Sequence, residues 1–108
     1  MDDLTRDAQK LLALMYRDYL AKRKAGQSKE SAKQVGDVET VQSNLLPSSS
    51  ADDVLETCRE LDRSNYLQVY YADNTIYHAW LSDRAIIVME NRFKNNISTV
   101  LDFLSKFV

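Results

Sequence analysis

The chain has 108 residues, 44% of them apolar and 28% charged, with only two glycines and one proline, which is typical of one ordered, helix-rich domain. One cysteine and one histidine exclude an intramolecular disulfide and a Cys/His zinc cluster. A net charge of −2 argues against the strong phosphate neutralisation that isolated DNA-binding domains commonly provide. Because no apolar leader and no membrane-length apolar stretch is present, we expect a cytoplasmic protein.

The first half of the chain predicts three helices. Apolar side chains from 4 to 25 follow one helical face, which predicts a long first helix. It ends in "KRKAGQ", where three cations suit the negative end of the helix dipole and Gly26 can take a left-handed cap. Ser28 and Asp37 are good N-caps, so short helices are predicted over "KESAKQVG" and "VETVQSNLL", the second stopped by Pro47.

The second half predicts a helix, a hairpin and a terminal helix. In "SSSADDVLETCRELDRSNYL" a serine cap and first-turn acids precede apolar residues at helical spacing. The stretches "YLQVYY" and "TIYHAWL", joined by the turn "ADNT", predict a β-hairpin. Ser82 then caps a last helix that continues without proline to Val108. If unbroken, this helix is about 37 Å long.

A short helix, the polar turn "LPSSS", a second helix and a hairpin follow the order of a winged helix-turn-helix. The stretch "DDVLETCRELDRSNYL" resembles the recognition helix of many bacterial winged helices. "LSDRAI" resembles a junction common in multiple-antibiotic-resistance-type and PadR-type regulators. The string is also similar to the small YjcQ-type winged helices, often found in prophages. The resemblance, over roughly residues 38 to 92, implies a mostly helical α+β winged-helix domain over 1–108, with a two-stranded hairpin wing and a long terminal helix over about 82–108.

In this class of protein the recognition helix enters the major groove and the wing follows the backbone, usually with Arg or Lys. The residues expected to contact double-stranded DNA here are Lys22, Arg23, Lys24, Lys29, Lys33, Ser48, Ser49, Ser50, Arg59, Arg63 and Asn74. Other roles compete, because the cations after the first helix suit helix termination and the serines suit N-capping beside Asp52 and Asp53. The two arginines can equally pair with Glu56 and Glu60. The wing tip contains no Lys or Arg.

Several residues of types that often bind ligands or take part in catalysis are expected to have structural roles here. The hairpin aromatic residues are Tyr70, Tyr71, Tyr77, His78 and Trp80. Cross-strand packing is their expected role, and base stacking is the alternative. The only histidine has no second metal ligand spaced with it, and Cys58 lies on an apolar stripe. No glycine-rich phosphate loop is present. The sequence therefore indicates a protein that is not an enzyme, with no metal and no cofactor.

The last predicted helix carries more apolar residues than one face needs. They recur every seven residues, and a second stripe lies beside the first. Because a helix covered only by its own domain normally keeps a clear polar face, the surplus predicts a homodimer. The predicted interface consists of Ile86, Met89, Phe93, Ile97, Val100, Leu101, Leu104 and Phe107. The alternative is that Leu11, Met15 and Tyr19 of the first helix cover both stripes within one subunit.

Together these features predict a dimeric winged-helix protein that binds duplex DNA, as a small bacterial or prophage transcriptional regulator. Two recognition helices would enter successive major grooves. The alternative is a winged helix that serves as a protein interaction or assembly module without binding DNA. The acidic recognition helix and the uncharged aromatic wing favour that alternative.

Overall fold

The computed structural model describes residues 1–107, which form a mainly helical α+β domain with a three-stranded antiparallel sheet. The helices are α1 (Arg6–Lys24), α2 (Lys29–Ala32), α3 (Val38–Leu45), α4 (Ala51–Arg63), α5 (Asp83–Phe93) and α6 (Ile97–Leu104). The strands are β1 (Gln34–Gly36), β2 (Leu67–Ala72) and β3 (Thr75–Leu81). Val108, where the predicted last helix ends, lies outside the described residues.

The predicted first helix is confirmed as α1, and it forms the centre of the core. Residues 11–16 are buried without interruption, so α1 is covered on several sides. Its N-terminus is fixed by Thr5, whose Oγ1 accepts a hydrogen bond from the Ala8 amide. The Thr5 hydroxyl and amide donate in turn to the two carboxylate oxygens of Glu60 in α4, at 2.6 and 2.7 Å. This pair of bonds ties the start of α1 to the side of α4.

The prediction of one short helix over residues 29–36 is wrong in its second half. Only the four residues of α2 are helical, and residues 34–36 form β1. Gln34 pairs with Trp80 and Gly36 with Ala79, while the Leu81 amide donates to the Lys33 carbonyl at 2.9 Å. The strand therefore depends on partners more than 40 positions away, which local helix signals do not register.

The next two helices and the hairpin follow the prediction. Asp37 caps α3 by accepting from the Thr40 amide at 2.8 Å, and Ser50 caps α4 by accepting from the Asp53 amide at 3.1 Å. The hairpin turn is Asp73–Asn74, with φ of 52° and 62°. Positive φ at both central residues is the requirement of a type I′ turn, which Asn and Asp tolerate. The strand order in the sheet is β1-β3-β2.

The prediction of one unbroken terminal helix is wrong. It divides into α5 and α6 because Lys94 and Asn95 adopt left-handed backbone, with φ of 52° and 58°. Asn96 then caps α6 by accepting from the Ser98 amide at 2.9 Å. The chain turns back here, so that α6 packs along α1. A short 3-10 turn, Ser105–Phe107, follows α6.

This turn changes the environment of the predicted dimer residues. Ile86, Met89, Phe93 and Val100 are buried within their own chain. Phe93 stacks on Tyr16 of α1, with ring centroids 6.2 Å apart, and contacts the edge of Phe103. These four residues offer a second copy no accessible surface, so for them the alternative of coverage within one subunit applies.

Candidate functional site

The start of α4 is acidic in the folded chain. Ser50 is used as the N-cap, and the Ser49 carbonyl accepts a hydrogen bond from the Gln42 side chain at 2.8 Å. Asp52 and Asp53 are both exposed in the first turn. Carboxylates suit the positive end of the helix dipole, but they would repel the phosphates of DNA in a major groove.

Three cations at one end of the sheet are engaged with protein groups. The Lys22 ammonium donates to the Gln34 carbonyl at 2.8 Å, and the Arg23 guanidinium donates to the Gln27 carbonyl at 3.0 Å. Lys33 pairs with Asp83 at 3.0 Å, and this pair lowers the pKa of Asp83. Lys24 and Lys29 are exposed and belong to no ion pair among residues 1–107.

Of the two arginines of α4, Arg59 lies at the other end of the hairpin. The Arg59 guanidinium donates to the Asn74 carbonyl in the hairpin turn, at 3.1 Å. Arg63 pairs with Glu56 at 3.7 Å, as one of the two sequence interpretations expected. Tyr71 strengthens the contact between hairpin and α4, because its hydroxyl donates to Asp62 at 2.6 Å.

The cations predicted to contact DNA therefore do not form one patch. Lys33 lies at the Leu81 end of β3, and Arg59 at the opposite end, beside Asn74. Seven strand residues separate these ends, or about 20 Å at the usual rise per residue. The structure brings together Arg59 and Asn74 from the predicted set, and separately Arg23, Lys24 and Lys29, which line one concavity.

An uncharged aromatic surface occupies the outer side of the sheet. We name Tyr70, Tyr77, His78 and Trp80 the aromatic face. Tyr70 and Tyr77 are 62% and 68% exposed, and their rings meet edge to face with centroids 6.0 Å apart. The His78 and Trp80 rings lie 5.6 Å apart. Their side chains are hydrogen-bonded to Gln34 and Gln68, respectively.

A β-bulge explains how this face forms. Tyr70 pairs with His78 but Tyr71 pairs with Ile76, which leaves Tyr77 as an extra residue of β3. Ile76 and Ala79 on either side of the bulge are both buried. The sequence assigned most of the hairpin aromatics to packing and did not single out Tyr70 and Tyr77 as the exposed ones, because simple alternation does not register a bulge.

Other features of the described residues give weaker indications of a functional site. A cavity of about 270 Å³ between α1, β1 and α3 is smaller than most ligand pockets. Residues 1–107 contain no group of three or more His, Cys, Asp or Glu arranged to hold a metal ion. Within the same range, no helix combines the length and the apolar character needed to cross a membrane.

Comparison with known proteins does not assign the chain to a family. No protein-family model, no curated protein and no solved structure matches the chain. The likeness to YjcQ-type and PadR-type winged helices therefore depends on the quoted sequence motifs alone, and it stays a prediction.

Proposed function

We propose that the chain is a winged helix-turn-helix domain that binds another protein through its aromatic face. The proposed fold is supported by the order of the elements. Helices α3 and α4 are joined by a short polar turn, the β2-β3 hairpin follows α4, and β1 adds a third strand beside β3. In this arrangement α4 is the recognition helix and the hairpin is the wing.

The observation that carries the proposed function is the exposure of Tyr70 and Tyr77 on strands β2 and β3, which themselves contain no Lys, Arg, Asp or Glu. Tyrosine and tryptophan supply large contact areas at protein interfaces, and they often dominate the binding energy. The His78 and Trp80 side chains are held in place by their hydrogen bonds to glutamines. A partner therefore meets two side chains whose positions are fixed before binding, which lowers the entropy cost of binding.

The charges around the wing also favour a protein partner. Asp73 is the only charged residue between Leu67 and Leu81, and exposed Asp52 and Asp53 begin the adjacent α4. DNA affinity comes largely from Lys and Arg that neutralise phosphates. A wing and recognition helix with this distribution of charge suit a protein surface better than a polyanion.

DNA binding is the second candidate, and two observations favour it. The order of the elements is that of many DNA-binding domains. Lys24 and Lys29 are free to contact phosphates, since they form no ion pair among the described residues. In this function the chain would be a small bacterial or prophage regulator.

The proposed function is tested by replacing both exposed tyrosines. We expect Tyr70→Ser/Tyr77→Ser to weaken binding of the partner by about 2 kcal/mol or more, because exposed tyrosines that become buried are common hot spots. Partners are captured from cells of the source organism with the wild-type chain, and affinities are then measured by calorimetry with purified components.

The matched control is Ile87→Ser, which removes another exposed apolar side chain, 58% exposed, from α5. It should leave the affinity unchanged. Equal binding by the wild type and the tyrosine variant would contradict the proposed contact, as would a wild-type chain that binds only DNA.

A further inference from the structure

Helix α6 exposes an apolar stripe beside its buried face. Ile97 and Leu101 are 39% and 48% exposed, and Leu104 is half-buried. These residues are four and three positions apart, so they lie on one helical face. Val100 and Phe103 lie on the adjacent face of the helix and are buried against the chain's own core.

The stripe lies beside α1. Helices α1 and α6 run antiparallel, as hydrogen bonds near the two ends of the pair show. The Arg6 guanidinium donates to the Lys106 carbonyl at 2.8 Å, near one end of the pair. The Tyr16 hydroxyl donates to the Asn95 side chain at 2.8 Å, near the other end. Both helices therefore contribute to one continuous surface.

A concavity of about 500 Å³ opens on this surface next to the stripe. Leu20 and Ala21 of α1 and Ala25, which follows it, line one side, and Ile97 lines the other. The two alanines leave the space open because their side chains are small. Leu101, one helical turn beyond Ile97, is the most exposed apolar residue of α6. The surface thus carries a protruding leucine and a hole about one turn apart.

We propose that this surface, defined by Leu20, Ala21, Ala25, Ile97, Leu101 and Leu104 and named the α1–α6 surface, binds a second copy of the same chain. A surface that pairs with itself across a two-fold axis must contain both complementary parts. An axis that passes between Leu101 and the concavity places each Leu101 in the hole of the other copy. The same operation brings the two α6 helices together in antiparallel orientation.

The charges next to the leucine and the hole are complementary across this axis. Lys24 lines the concavity, and Asp102 directly follows Leu101. Neither takes part in an ion pair within the described residues. When Leu101 enters the partner's hole, Asp102 approaches the rim that carries Lys24 of the partner subunit. Two equivalent ion pairs then flank the apolar contact.

The size of the surface suits a small, reversible dimer. Specific interfaces at the lower end of the range bury about 600 Å² on each copy. That is about one tenth of the 6247 Å² accessible surface of the chain. An area of this order is what the α1–α6 surface must bury on each copy in the proposed dimer. The α1–α6 surface shares no residue with the aromatic face, so the dimer leaves that face accessible.

Sedimentation equilibrium of the full chain over a range of concentrations tests this proposal. We expect the wild type to sediment as a dimer at high concentration. The Leu101→Glu variant should have a dimer dissociation constant at least tenfold higher and should sediment as a monomer at the same concentration. Leu101 is half exposed in the monomer, so circular dichroism should show that this variant folds. Ile87→Glu is the matched control, because it places the same charge at an exposed isoleucine on α5 and should leave the dimer intact.

A charge reversal tests the proposed orientation. Lys24→Asp and Asp102→Lys should each weaken the dimer, and the double variant should recover most of the wild-type affinity. A wild type that stays monomeric into the millimolar range would overturn the proposal. So would a dimer that Leu101→Glu leaves unchanged, or a double variant that is no tighter than the single variants.

Discussion

Two buried side chains, Tyr16 and Cys58, must stay neutral in the folded chain. Tyr16 is completely covered, its hydroxyl donates to Asn95, and burial raises its pKa to about 12. Burial alone raises the pKa of the Cys58 thiol to about 12. A thiol held protonated among Val54 and Leu61 behaves as a small apolar side chain, because the thiolate is the nucleophilic form.

These pKa values predict a loss of stability at alkaline pH. The unfolded chain ionises its tyrosines near 10.0 and its cysteine near 9.0, whereas the folded chain holds both groups neutral to about 12. The contribution of these two groups to the free energy of unfolding is therefore complete below pH 9 and decreases as the pH rises toward 12. We expect the urea midpoint to drop steadily between these limits.

Tyr16→Phe provides the control for this prediction. The variant should lower the free energy of unfolding by about 1 kcal/mol at neutral pH, because the hydrogen bond is lost. It should also make the decrease of the urea midpoint at alkaline pH shallower. A midpoint that stays constant from pH 8 to pH 11 in the wild type would contradict the assignment of these pKa values.

At the scale of elements, the turn between α5 and α6 decides where the terminal apolar residues lie. It requires left-handed backbone at Lys94, a conformation that costs an ordinary residue about 1 kcal/mol or more. Asn95 tolerates the same conformation better, and its side chain accepts from Tyr16. Lys94 is exposed, so its backbone can be tested without removing a packing contact.

We expect Lys94→Gly to stabilise the fold by about 0.5 kcal/mol, because glycine adopts positive φ without steric strain and loses part of that gain to chain entropy. Lys94→Ala keeps the Cβ atom, and it should leave the unfolding midpoint close to that of the wild type. Lys94→Val should destabilise the fold, since β-branched residues fit this region poorly. If glycine lowers the midpoint, α5 continues into α6 in solution and the turn is not populated.

The elements differ in how far the sequence predicts them. Helices α1, α3 and α4 and the hairpin have local causes: apolar periodicity, a capping side chain, and a turn that Asp and Asn favour. Strand β1 has none of these, because three residues become a strand only through pairing with β3. The α5–α6 turn is concealed by apolar residues that keep their spacing through "RFKNNIS", without a proline or glycine.

At the scale of the whole molecule, the predicted DNA-contacting residues are separated by the fold. Sequence reasoning identified the cations but had no means of placing them, so it did not show that Lys33 and Arg59 lie at opposite ends of β3. It also noted that the wing lacks cations, and that observation depends on composition alone. The sequence therefore predicts which charged residues are present in the candidate site, but only the structure shows which of them lie together.

Two separate surfaces remain available to other macromolecules. The aromatic face lies on the sheet, and the α1–α6 surface lies on the helical side. Both consist of apolar side chains exposed next to polar residues, a pattern that often marks protein interaction sites. We therefore propose that the domain contacts proteins at these two places, one of them in a second copy of the chain.

The most direct test of this account is a fluorescence anisotropy titration of the full chain against random-sequence and host-derived DNA duplexes, over a series of salt concentrations. We predict no saturable binding at physiological ionic strength and, at low salt, only weak binding that does not depend on sequence. A saturable complex with nanomolar to micromolar affinity at physiological ionic strength would contradict the account. A linear fall of the logarithm of the affinity with that of the salt concentration, and loss of the complex in Lys24→Glu/Lys29→Glu, would assign the binding to phosphate contacts of these two lysines.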